Sequence, residues 1–406
     1  MTTDTQHIPS GYKTSPLGII PKDWEVKRLG EACDYVDYRG KSPNKTSDGV
    51  FLVTAKNIRE GYIDYNISKE FIPKNEYEET MRRGKVQIGD VLITTEAPLG
   101  HIAQIDNPNI ALAQRVIKYR GKTGLRNTYL KYYLMSDGFQ TILIANATGS
   151  TALGIKGSRL HQLPIIIPSL KEQDGIITTL ELWDTAISEQ TRLIEKLTLR
   201  KKGLMQQLLT GKKRLKGFEG GSFHRLGNYI SECNRRNNGC KRVLSVTNTR
   251  GFILQEEQFD KIVASDDTSN YKVVRRGEFA YNPSRVNVGS LDMLNEYDEG
   301  ILSPMYVVFK ANEDIDKSYL LQCLQSWWFR GHIPAYTQGS VRDSLSFDGL
   351  CSMKFYIPSL EEQKAISNIL KQADKEIEIQ KQKLASLQEQ KKGLMQVLLT
   401  GKRRVI

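Results

Sequence analysis

The residue types that could do chemistry are present in this chain, but their spacing argues against it. The five histidines (His7, His101, His161, His224, His332) are scattered, with no metal-ligand spacing. The five cysteines (Cys33, Cys233, Cys240, Cys323, Cys351) contain no C-x-x-C pair and read as reduced cytosolic thiols. Gly211-Lys212 and Gly401-Lys402 lack the glycine and the Ser/Thr of a phosphate-binding loop. Asn282-Pro283-Ser284-Arg285 lacks the second proline and the aromatic of an amino-methyltransferase motif. Glu362-Gln363-Lys364 has the Glu-x-Lys form of nuclease cores, yet its position suits a helix start. No catalytic residue and no metal site is expected.

Donor-rich loops offer binding instead. Arg39-Gly40-Lys41-Ser42-Pro43-Asn44-Lys45 precedes a β-like run, and Thr54-Ala55-Lys56-Asn57-Ile58-Arg59 follows it. Arg235-Arg236-Asn237-Asn238-Gly239-Cys240-Lys241-Arg242 and Thr247-Asn248-Thr249-Arg250 hold comparable places later in the chain. Arg, Lys, Asn and Gln suit phosphates and the edges of guanine and adenine. The candidate binding residues are Arg39, Lys41, Lys45, Lys56, Asn57, Arg59, Thr94, Thr95, Gln114 and Ser150, then Arg235, Arg236, Asn238, Lys241, Asn248, Arg250, Asn282, Arg285, Asn287 and Arg342. A net charge of +12 over 406 residues favours an anionic partner. No run is long and apolar enough for a membrane span, and the polar start offers no signal peptide. No membrane association is expected.

The elements that must position these loops come from a duplication. Residues 167–214 realign without a gap on 357–404, with 24 of 48 positions identical. Weaker matches continue upstream: Gly89-Asp90 with Gly277-Glu278, Gly100 with Gly289, Ser136 with Ser326. Each copy is a divergent globular part followed by a closely similar tail. Each tail opens on a Ser-x-x-Glu capping box, Ser169/Glu172 or Ser359/Glu362, and closes at Gly211 or Gly401.

Apolar residues at alternating steps of three and four predict a heptad seam. The first seam begins at Gln173 and includes Ile176, Leu180, Ile187, Gln190, Leu197, Lys201 and Leu204. The second begins at Gln363 and includes Ile366, Leu370, Ile377, Gln380, Leu387, Lys391 and Leu394. About 39 helical residues would span on the order of 58 Å. The expected architecture is two mixed α/β (α+β) units, separated by two long helices packed as an antiparallel intramolecular coiled coil with a pseudo-two-fold. Gln190 and Gln380 would lie in neighbouring layers. Expected boundaries are 1–165, 166–215, 216–355 and 356–406. Expected strands are Val50 to Thr54, Val91 to Thr95, Val243 to Thr247 and Met305 to Phe309; expected helices are Thr128 to Phe139 and Ser318 to Phe329.

Together these features resemble the specificity subunit of type I restriction-modification enzymes, over essentially the whole chain. The resemblance rests on the repeated order and on the entry phrases Ile20-Pro21-Lys22-Asp23-Trp24-Glu25 and Pro168-Ser169-Leu170-Lys171-Glu172-Gln173, the latter with its duplicate Pro358 to Gln363. It rests also on the exits Lys202 to Gly211 and Lys392 to Gly401, and on Glu96-Ala97-Pro98-Leu99-Gly100, Ala113-Gln114-Arg115 and Thr148-Gly149-Ser150-Thr151. The second unit departs from some of these, with Pro304-Met305 in place of Gln114-Arg115.

The resemblance implies a non-catalytic, cytoplasmic, nucleoid-associated subunit whose two domains each recognise half of a bipartite, asymmetric site in double-stranded DNA. The helices named above would space the readers and dock two methyltransferase subunits, which bring S-adenosylmethionine and methylate adenine at N6. Restriction/translocase subunits would use ATP and Mg. No cofactor is implied for this chain. Two other readings stay open: a recognition subunit of a related methyltransferase or combined system, and a coiled-coil scaffold without DNA binding.

Overall fold

The computed structural model describes residues 8–38, 43–150, 152–258, 267–337 and 344–405. It divides into two units, Met1–Glu189 with Lys383–Ile406, and Gln190–Gln382.

In the first unit a four-stranded antiparallel sheet has the order Cys33–Asp37, Val116–Gly121, Val91–Thr95, Leu99–Gln104. Every residue of Val91–Thr95 is buried, as a central strand covered on both faces requires. Phe71–Ile72, Val50–Val53 and Ile110–Leu112 form a second sheet, in which Val50–Val53 and Ile110–Leu112 are parallel. Glu25–Arg28 pairs with Pro164–Ile167 and ties the two ends of the globular part together.

The second unit repeats the four-stranded order with Ile230–Glu232, Val307–Ala311, Phe279–Tyr281 and Leu291–Met293. Two further pairs, Leu244–Thr247 with Gly251–Leu254 and Lys272–Arg275 with Glu299–Leu302, replace the second sheet. Ser222–Arg225 pairs with Lys354–Ile357.

The duplicated frame is bonded alike in both units. Before each central strand a buried acid closes a tight turn, with Gln87 N–H donating to Asp90 and Arg275 N–H donating to Glu278, both at 2.9 Å. The arginine on each acid differs in origin: Arg120, in Val116–Gly121, grips Asp90 with two bonds of 2.6 and 2.8 Å, whereas Arg235, from the segment after Ile230–Glu232, pairs with Glu278. Where one helix is expected from Thr128 to Phe139, Asn127–Met135 ends and Asp137–Ala145 begins. Ser136 causes the break. Its backbone is extended, and its hydroxyl accepts from Phe139 N–H while donating to Tyr133 O. Ser326 does the same between Lys317–Gln325 and Trp327–His332. The strand expected from Met305 lies instead at Val307–Ala311, because Ser303 to Tyr306 form a turn.

The long helices are Leu170–Leu208 and Leu360–Leu398, 39 residues each. Ser169 and Ser359 hydroxyls accept the N–H groups of Glu172 and Glu362. Gly211 and Gly401 take the left-handed conformation at φ 69° and 71°, and Lys213 and Arg403 N–H groups reach back to Gln207 and Val397 at 3.0 Å. The glutamates do not complete the capping box. Glu172 accepts from Trp24 Nε1 at 2.7 Å and from Arg404, while Glu362 accepts from Arg214. A buried carboxylate is better matched by a guanidinium fork than by one amide.

Packing within each unit sets the helix direction. In the first, Ile176 and Leu180 are buried with Met395 and Leu398, and Lys391 pairs with Asp184 at 2.5 Å. In the second, Leu208 is buried with Ile366 and Leu370, and Lys201 pairs with Asp374 at 2.5 Å. Early residues of one helix meet late residues of the other, so the pair is antiparallel. Gln190 Nε2 donates to Gln380 Oε1 at 2.8 Å and to its backbone carbonyl at 3.0 Å.

Two expectations about the seam are corrected. Gln173 and Gln363 are not seam residues but buried ties. Gln173 accepts from Arg126 N–H and donates to the Gly124 and Pro168 carbonyls; Gln363 accepts from Asp316 N–H and donates to Asp314 and Pro358. The seam residues assigned to subunit docking also face inward. Ile176, Leu180, Gln190, Ile366, Leu370 and Ile377 are buried, and Ile187, Leu197, Leu204, Gln380, Leu387 and Leu394 are half-buried. They stabilise the chain's own packing, whereas the helices expose Leu182, Leu193, Leu199 and Ile379.

Candidate nucleic-acid interface

In the first unit, strand direction assembles the rim. Because Val50–Val53 and Ile110–Leu112 are parallel, the segments that follow them emerge together, and Ala113 N–H donates to Val53 O at 2.9 Å. The central strand ends at the same edge: Thr95 N–H donates to Arg115 O at 3.0 Å, and Ile155 N–H to Thr95 O at 2.9 Å. Gly154 pairs with both Glu96 and Thr148.

Lys56, Arg59, Gln114, Arg115 and Ser150 therefore share one rim, with Lys56, Arg115 and Ser150 exposed and Arg59 and Gln114 partly so. Arg115 ties two of its segments through an ion pair to Glu96 at 2.8 Å. Lys45 joins beside Lys56 through Glu70, at 2.6 Å. The Lys45 hydrogen bond holds the Glu70 carboxyl below its ordinary range against the opposing effect of burial, with a smaller contribution from nearby Lys56.

Three candidates serve the fold instead. Asn57 is fully buried; its carbonyl accepts from the Thr54 N–H and hydroxyl, and its amide donates to Asp64 O and Ser68 O. Thr94 and Thr95 are buried in the central strand, with Thr94 accepting from His101 N–H and Thr95 donating to Arg115 O. A polar side chain in a rim segment also satisfies that segment's own backbone, which residue type alone does not reveal.

The second unit builds its rim differently. Thr247 Oγ1 accepts from Arg250 N–H at 3.1 Å, and Gly251 at φ 62° closes the hairpin turn. Asn248 and Arg250 are left exposed, with Glu257 3.5 Å from Arg250. Ser290 Oγ donates to Val246 O at 2.6 Å and fastens the 282–290 loop to this hairpin, so Arg285 and Asn287 lie exposed beside it.

Asn282 is buried and accepts from Ser284 N–H, shaping the loop rather than facing solvent. The segment from Arg235 to Lys241 belongs elsewhere, over a small cluster of Tyr271, Val273 and Ile301. Arg235 is committed to Glu278 and Arg236 to Asn270 O, while Asn238 and Lys241 are exposed. Arg39, Lys41 and Arg342 lie outside the described residues. Arg330, an exposed residue of the helix Trp327–His332, lines a cleft with Asn248 and Arg250 and is not among the residues expected above.

The arrangement offers donors and cations for binding. Burial pushes the Cys33 and Cys323 thiols up to about 12, away from nucleophilic thiolate. Among the described residues no group of His, Cys, Asp or Glu is placed to hold a metal ion, and no helix is long and apolar enough to cross a membrane.

The sequence profile of the type I restriction modification DNA specificity domain matches residues 21–199 and 261–389, well over half of the chain. The chain belongs to this family. Among specificity-domain relatives, the type I restriction enzyme MjaVIII specificity subunit of Methanocaldococcus jannaschii is 26% identical, over 95% of this chain and 94% of that protein. The putative type I restriction enzyme MjaX specificity subunit of the same organism is 26% identical, over 97% of each. Solved structures agree on the fold. A chain from work on complex assembly and conformational transition of the type I R-M system aligns with a TM-score of 0.60 at 18% identity, covering 95% of this chain and 99% of that one. The type I restriction-modification system S subunit from M. genitalium aligns at 0.52 and 15%, covering 92% and 96%.

Proposed function

We propose that this specificity-family chain is the non-catalytic DNA-reading subunit of a cytoplasmic type I restriction-modification complex. Each unit reads one half of a bipartite, asymmetric site in duplex DNA, and the helix pair fixes the spacing of the two halves. The rim residues Lys45, Lys56, Arg59, Gln114 and Ser150 serve the first half-site; Asn248, Arg250, Arg285 and Asn287 serve the second. The exposed Leu182, Leu193, Leu199 and Ile379 suit docking of two methyltransferase subunits, since isolated apolar side chains along a helix offer contact without a core of their own. Those partners bring S-adenosylmethionine to adenine N6, and restriction/translocase subunits bring ATP- and Mg-dependent cleavage.

One observation carries this reading. The two units repeat the buried ties of Gln173 and Gln363 and of Ser136 and Ser326, yet their rims present different donors. Two unlike readers on one repeated frame are what an asymmetric, two-part site requires. The test is a methylome of cells carrying the complex with residues 1–165 exchanged for those of a relative. One half of the methylated site changes and the other persists; if both halves stay as they were, the reading fails.

A further inference from the structure

A cleft of about 460 Å³ opens in the second unit beside the hairpin turn. Asn248 and Arg250 line it from the turn, Lys201 from the first long helix, Asp292 from the adjoining strand, and Arg330 from the helix Trp327–His332. Three cations and one acid line it. Two of those cations already have partners, Lys201 in Asp374 and Arg250 in Glu257. The Arg330 guanidinium has no ion-pair or hydrogen-bond partner among the described residues, and the residue is exposed.

The duplication shows what this position does when it serves the fold alone. Arg330 stands 190 residues after Gln140 (330 − 140), and each faces a left-handed glycine, Gly100 at φ 79° or Gly289 at φ 99°. A Cβ on Gly100 would lie 2.6 Å from Gln140 Oε1; one on Gly289 would lie 3.2 Å from Arg330 Nη2. Gln140 uses its amide on the protein itself, donating to Gly100 O at 3.0 Å and Leu134 O at 2.7 Å. In the second unit the same seat holds a longer, charged side chain whose donors are left for the cleft. Arginines with a structural duty in this chain look different: Arg120 grips buried Asp90, and Arg235 pairs with Glu278.

We infer that Arg330 is a DNA-contacting residue of the second reader, donating its guanidinium N–H groups, beside Asn248 and Arg250, to acceptor atoms of a duplex docked over this cleft. The inference rests on the reading under Proposed function. The acceptors are phosphate oxygens or the O6/N7 edge of a guanine, both of which suit a guanidinium fork.

The test uses the full chain assembled with its methylation partners, and the duplex that the wild-type complex methylates. Arg330→Gln installs the residue type of the first unit at the same seat. Affinity falls roughly tenfold or more while thermal unfolding is unchanged. With a phosphate contact, all duplexes weaken alike, the log–log salt slope drops by about one, and Arg330→Lys retains most of the binding. With a guanine contact, the loss follows one base pair of the second half-site, and Arg330→Lys does not restore it. Unchanged affinity, salt slope and methylome in Arg330→Gln would overturn the inference. A wild-type complex without salt-sensitive, sequence-specific binding would instead overturn the functional reading itself.

Discussion

Asn57 and Asn248 follow strands at comparable places in the two units, yet one is fully buried and the other exposed. The first rim closes around Asn57, whose amide satisfies the carbonyls of Asp64 and Ser68. The second closes through the Thr247 hydroxyl and Gly251, which frees Asn248. The frame behaves in the opposite way. Gln173 and Gln363, and Ser136 and Ser326, each repeat one hydrogen-bonding pattern in both units, and Glu172 and Glu362 each accept from an arginine, Arg404 or Arg214. Side chains that satisfy buried backbone are held by geometry, whereas rim side chains answer to whatever is bound.

That contrast can be broken at several points. Leu180→Ala and Leu370→Ala remove fully buried side chains at equivalent positions. Each is expected to cost about 2–5 kcal/mol in chemical denaturation; a gap between them above about 2 kcal/mol would mean the two cores are not equivalent. Gln173→Ala and Gln363→Ala leave buried backbone groups unpaired, at about 1–3 kcal/mol each. Hydrogen exchange should quicken at the Arg126 and Asp316 amides in turn.

Asn57→Ala and Asn248→Ala are expected to diverge. The first lowers the unfolding midpoint by about 1–2 kcal/mol of stability; the second leaves unfolding unchanged and weakens DNA binding by the assembled complex roughly fivefold. Equal behaviour in the two assays would erase the distinction between frame and rim. The smallest effect is expected for Lys56→Ala, a drop of about one in the salt slope, with no change in which sequence is methylated.

Much of the frame was legible because its signals are local. Ser169 and Gly211 mark a helix by the groups they satisfy within one turn, and the seam follows from periodicity. What was missed depends on partners distant in sequence. Gln173 has the spacing of a seam residue, but its amide finds the loop before Asn127–Met135. Glu172 looks like half of a capping box, and its carboxylate is taken by Arg404, 232 residues away. At the rim, Thr94 and Asn282 have the residue types of readers and the burial of frame. Arg330 escapes the donor-rich pattern because it sits on a helix, distant in sequence from Asn248 and Arg250, whose cleft it lines.

The hydrogen bond between Gln190 and Gln380 has a further consequence. These residues are 190 apart and occupy the same place in two helices of equal length. Two carboxamides can bond symmetrically, each N–H on the other's oxygen, but this pair does not: both of its bonds run from Gln190 Nε2, to Oε1 and to the backbone carbonyl of Gln380. Within the second unit, two residues of the same type at the same helix position thus take unlike roles, and that difference tells one long helix from the other.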